Sequence, residues 1–126
     1  MDNQKLDAIN EENSPMLTGL SDKIWEYAEL SMLEYKSTAA YVALLKEEGF
    51  TVEENLCGIP TAFSGTFGSG KPVIGLLAEY DALAGLSQES CCPEKKPIVP
   101  GGDGHGCGHN AMGPCCVAAA IAMAKK

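Results

Sequence analysis

The chain has 126 residues and a mass of 13.2 kDa, and with 45% hydrophobic and 21% charged residues it has the make-up of one soluble domain able to bury a core. Its net charge of -8 comes from 17 acidic and 9 basic residues, and every basic residue is lysine. Lacking arginine forks and a basic stripe, it is set aside as a nucleic-acid binder. No window approaches the roughly 18 apolar residues of a membrane span, and Met1-Asp2-Asn3-Gln4-Lys5 has no apolar signal core, so no membrane partner and a cytoplasmic location are expected.

Charge, glycine and proline divide the chain in two. Residues 1–56 hold 12 acidic and 4 basic side chains but only Gly19, Gly49 and Pro15, whereas the remaining 12 glycines and 6 prolines lie beyond. The first part therefore reads as helical. Ser21 or Asp22 is placed to cap a helix carrying Ile24, Tyr27 and Ala28 at helical spacing. A second helix is expected over 34–48, with Thr38, Tyr41, Val42 and Leu45 as one stripe and Gly49 as its stop.

After Gly49 the period changes, and 50–53, 61–67 and 73–80 read as three strands. The run Val73-Ile74-Gly75-Leu76-Leu77-Ala78 is apolar enough for an interior strand buried on both faces. Gly68-Ser69-Gly70 reads as the turn of an antiparallel hairpin between the second and third strands. Gly65, Gly70 and Lys71 match part of a phosphate-binding loop, but Pro72 stands where Ser or Thr would hold magnesium, and no helix follows. Residues 84–108 read as a long loop, of a length that is usually functional or disordered. Residues 117–124 read as a buried alanine-rich helix ending without a cap, as expected of the front part of a longer protein.

The six cysteines, Cys57, Cys91, Cys92, Cys107, Cys115 and Cys116, are expected as free thiols or metal ligands, since vicinal pairs resist disulfide geometry. The strongest chemical signal is Gly104-His105-Gly106-Cys107-Gly108-His109-Asn110, which holds both histidines of the chain. Thiolate and imidazole both suit zinc. The spacing alone leaves open a metal site and a glycine loop with a buried thiol. Upstream, Ala78-Glu79-Tyr80-Asp81-Ala82-Leu83 ends the third strand with two carboxylates read as facing opposite sides of the sheet. Of these, Asp81 is the better candidate for a crevice at the strand's C-terminal end; both are otherwise solvated or capping carboxylates.

Together, the glycine-rich motif and Leu76-Leu77-Ala78-Glu79-Tyr80-Asp81-Ala82-Leu83 resemble the aminoacylase-type dinuclear metallopeptidase family. Within it they resemble the branch of p-aminobenzoyl-glutamate hydrolase and related amidohydrolases. The resemblance runs from the helix around Trp25 to the final alanine-rich helix. It implies an α/β fold in which residues 1–126 are the N-terminal portion of a catalytic domain with a central sheet flanked by helices. It also implies two divalent metal ions, zinc or manganese, hydrolysis of a small amide or dipeptide substrate, and homo-oligomerisation at full length. By this resemblance Cys107 and His109 are metal ligands, His105 is structural, and Asp81 supports the site although Glu79 replaces the histidine that usually precedes it. Pro114 departs from the pattern, at a place where it would delay or kink the last helix. The general base and the remaining ligands are expected beyond residue 126, leaving this portion inactive alone. The alternative is a small non-catalytic zinc module formed by Cys107, His109 and loop cysteines.

Overall fold

The computed structural model describes residues 3–125. Among them, three α-helices, one short 3-10 helix (Leu56–Gly58) and one two-stranded antiparallel sheet make a mixed α/β fold: α1 (Asn3–Tyr27), α2 (Tyr35–Glu47), β1 (Thr51–Glu54), β2 (Phe63–Thr66) and α3 (His109–Ala124). No helix among the described residues is long and apolar enough to cross a membrane.

The first helix is longer than its caps imply. Ser21 and Asp22 lie inside α1, which begins at Asn3 and runs through Pro15. Its polar early turns need only one buried seam, supplied by Ile9, Leu20 and Ile24. The second helix keeps its expected stripe: Thr38, Tyr41, Val42 and Leu45 are all buried. It ends as anticipated. Phe50 N–H bonds to Leu45 C=O at 2.9 Å and Gly49 N–H to Lys46 C=O at 3.1 Å, with Gly49 at φ +85°. That is the Schellman pattern, and its apolar contact is buried Phe50 against the helix end.

The last helix starts earlier than 117, because Pro114 sits within its second turn rather than ahead of it. A proline there has no N–H for the Asn110 carbonyl and crowds that carbonyl with its ring. Gly113, Val117 and Ile121 form a buried seam on α3. A Cβ on Gly113 would lie 2.0 Å from Tyr41 Oη, so the helix docks where only glycine fits. Leu20 and Ile24 of α1, Tyr41, Leu44 and Leu45 of α2, Phe50, and Val117 and Ile121 of α3 make one core.

The sheet departs most from expectation. β1 pairs with β2, with Val52 opposite Gly65 and Glu54 opposite Phe63. The hairpin expected at Gly68-Ser69-Gly70 is therefore not formed. Residues 73–80 adopt no strand, and Val73 and Leu77 are 82% and 91% exposed instead of buried on both faces. The physical reason is pairing. A strand needs a neighbour for its backbone groups, and the two described strands have only each other.

Candidate functional site

Tyr80 anchors the end of the extended segment. Its ring lies 5.2 Å from that of Tyr41 and 5.9 Å from that of Phe63. Its hydroxyl donates to Thr61 C=O and sits 2.9 Å from Thr38 Oγ1. Burial pushes the Tyr80 phenol above its ordinary range, and that of Tyr41 further still. With Tyr80 held in the core, the residues on either side of it share the other face. Glu79 and Asp81 thus approach one partner, His109, and do not face opposite sides as expected from sequence. Residues two apart on an extended chain point the same way.

Backbone bonds fix this segment on both flanks. Ala82 N–H donates to Glu29 C=O at 2.7 Å, while Leu83 and Gly104 exchange bonds of 2.9 and 3.0 Å. A Cβ on Gly104 would fall 2.1 Å from Leu86 C=O, so this approach requires glycine. The Glu29 carboxylate accepts from Lys36 N–H at 2.9 Å and from Ser37 N–H and Oγ at 2.8 Å each, capping α2 from outside it. One residue therefore ties the α1–α2 corner to the carboxylate segment.

The glycine motif forms the turn into α3. His105 Nε2 lies 2.9 Å from Ile24 C=O near the end of α1. A carbonyl only accepts, so Nε2 carries the hydrogen and Nδ1 is the bare nitrogen, buried without a partner. Burial holds the His105 ring below its ordinary pKa. This is the structural place expected for it. Asn110 Nδ2 adds a 3.2 Å bond to Ser21 Oγ, so both α1 and the 79–83 segment hold the motif.

His109 opens α3, and its side chain is only 11% exposed. Its Nδ1 is 2.8 Å from Asp81 Oδ1 and 3.1 Å from Asp81 C=O. Both neighbours are acceptors, which assigns the hydrogen to Nδ1 and leaves Nε2 with its lone pair in the neutral ring. That nitrogen lies 3.3 Å from Glu79 Oε2. Ligating atoms of Glu79, Asp81 and His109 lie within 4.8 Å of one another. Imidazole and carboxylate donors at this separation suit a divalent ion.

Cys107 is exposed in the turn and does not join that group. Among the described residues no cysteine does. All six cysteines are unpaired. The 84–108 loop is instead folded on itself, with Ser87 N–H bonded to Gly102 C=O and Glu89 N–H to Lys96 C=O at 2.9 and 2.8 Å. The approach of Glu79 to His109 was missed from sequence, although its two-residue spacing from Asp81 was the available signal.

No protein-family model matches the chain. Curated relatives do, and their names are those of a hydrolase subunit and of carboxypeptidases. It is 48% identical over 119 residues, 94% of its length, to one of the subunits of p-aminobenzoyl-glutamate hydrolase from Escherichia coli (strain K12). It is also 39% and 38% identical over 90 residues to thermostable carboxypeptidases 1 and 2 of Saccharolobus solfataricus. The chain spans 24% of the length of the first relative and 22% of each carboxypeptidase.

Proposed function

We propose that the chain contributes one wall of the active site of a metal-dependent hydrolase of amide or peptide bonds. Substrates of the N-acyl amino acid, aminobenzoyl-glutamate or dipeptide type fit this reading, which rests on relatives whose names describe such activities. The observation that carries it is the fixed orientation of His109. Asp81 holds Nδ1–H through both its carboxylate and its carbonyl, so the opposite nitrogen is aimed as a donor. Asp81 is a positioning residue here. It touches the ring and sets its tautomer.

His109 and Cys107 are the residues assigned to hold two divalent ions, zinc or manganese. When bound, such ions polarise a carbonyl and lower the pKa of water. The remaining donors, the group that moves the proton and the second wall of the cleft are assigned to the part of the enzyme that the relatives' greater length represents. The exposed 73–77 run is read as an interior strand of a central sheet completed by that part, in a cytoplasmic homo-oligomer.

Bound metal and hydrolysis of N-acyl amino acids and aminobenzoyl-glutamate are measured in the 126-residue chain and in a full-length enzyme carrying the same substitutions. The 126-residue chain is expected to show no turnover. Cys107→Ser and His109→Ala are each expected to abolish turnover of the full-length enzyme and lower its metal content, with the helical signal kept. Full metal content and normal turnover in both variants would sink the assignment.

A further inference from the structure

We infer that the 126-residue chain associates with a second copy of itself by antiparallel pairing of residues 73–77, with the two-fold axis at Gly75. The inference goes beyond the hydrolase reading and does not depend on it. Where a strand of a longer enzyme completes the sheet, it takes the same edge and the second copy is excluded.

Val73-Ile74-Gly75-Leu76-Leu77 carries no charge and no proline, the composition of a segment that pairs edge to edge. Its side chains are exposed on both faces, Ile74 and Leu76 on one, Val73 and Leu77 on the other. One of its two backbone edges is taken. The Cys116 thiol donates to Leu77 C=O at 3.5 Å and Met112 Sδ accepts from Glu79 N–H at 3.4 Å, so the backbone groups of residues 77 and 79 turn toward α3. Along an extended chain these groups alternate between the two edges, which sets those of Ile74 and Leu76 on the opposite one. Among the described residues nothing bonds to them. A row of unpaired N–H and C=O groups is a template for another strand.

Symmetry and charge choose the occupant. Lys71 precedes the run and Glu79 follows it, equally far from Gly75. Parallel pairing in register would set Lys71 against Lys71 and Glu79 against Glu79, whereas antiparallel pairing about Gly75 brings Lys71 of each copy to Glu79 of the other. Ile74 then exchanges its backbone bonds with Leu76 of the second copy, and Val73 packs on its Leu77. Gly75 meets Gly75 on the axis, where a Cβ would find nothing within 4 Å in the single chain, so the approach is open. The Glu79 side chain is 65% exposed and stays accessible from outside. Because α3 lies along the other edge, the assembly closes at two copies. Residues 73–77 are few beside the roughly 20–30 a side of a stable interface, so the pair is weak and forms as concentration rises. At low micromolar concentration the chain is single and 73–77 stands exposed.

Sedimentation equilibrium of the purified chain, with a thiol reductant present so that no disulfide contributes, reads its mass between about 5 and about 500 μM. Expected is 13.2 kDa at the low end, rising toward twice that and not beyond. Leu77→Lys, at a side chain exposed in the single chain, should weaken association about tenfold or more with unchanged circular dichroism. Lys71→Glu and Glu79→Lys should each weaken it about threefold or more. An equimolar mixture of those two variants should recover the association of the parent, because only unlike copies then bring opposite charges together at both ends. A mass fixed at one chain throughout, growth past two, or no recovery in the mixture would overturn the inference and leave the hydrolase reading in place.

Discussion

Ile24 and Leu77 are similar in size and apolar character, yet one is fully shielded in the helical core and the other stands 91% exposed. The difference lies in their backbones. A helix satisfies its own N–H and C=O groups, so α1, α2 and α3 need only bring apolar seams together. An extended segment must find its hydrogen-bond partners elsewhere, and among the described residues 73–77 pairs with no strand and meets the Cys116 thiol, 3.5 Å from Leu77 C=O. Apolar composition alone does not produce burial.

The comparison breaks most visibly at Ile121, which is 1% exposed on α3. Ile121→Ala is expected to cost about 2–5 kcal/mol through lost transfer energy and an unfilled cavity. Leu77→Ala should stay within about 0.5 kcal/mol, as at other exposed positions. Urea unfolding of both variants measures this, and an equal cost at the two sites would show that 73–77 is packed after all. An intermediate effect is expected at Glu29, whose carboxylate caps α2. Glu29→Ala should lose about 0.5–2 kcal/mol, the range for a lost helix cap, read from the same urea midpoints.

The smallest effect sharpens the comparison from the loop side. Burial lowers the pKa of His105 from 6.5, so as pH falls below that value the unfolded chain takes up a proton before the folded one does. Stability from this group is intact above the unfolded pKa and declines as pH drops toward the lowered folded value. His105→Gln keeps a donor for Ile24 C=O and removes the titration. The loss of stability between about pH 7.5 and about pH 5.5 should therefore be smaller in the variant than in the parent, as measured by thermal unfolding at each pH.

What the sequence disclosed follows the same division. The buried stripe of α2 and its stop at Gly49 were legible because they depend on local period and a local left-handed turn. The start of α1 was not. Ser21 and Asp22 resemble caps, and residues 3–14 carry too few apolar side chains to announce a helix. At α3, Pro114 looked like a boundary and was tolerated. The 73–80 segment had the composition of a strand, but pairing is tertiary and composition does not contain it. In the site, the residues of the motif were readable, whereas the His105 to Ile24 bond joins positions 81 residues apart with no local signal. Glu79 was recoverable from spacing alone, since it shares a face with Asp81.

Glu29 performs two tasks, closing the start of α2 with its carboxylate and holding Ala82 N–H with its carbonyl. The amides of Ser37 and Ala82 are thus shielded from solvent by the same residue, and one opening of that corner uncovers both. Their deuterium uptake should rise and fall together, so a helix end reports whether the neighbourhood of Asp81 has come apart.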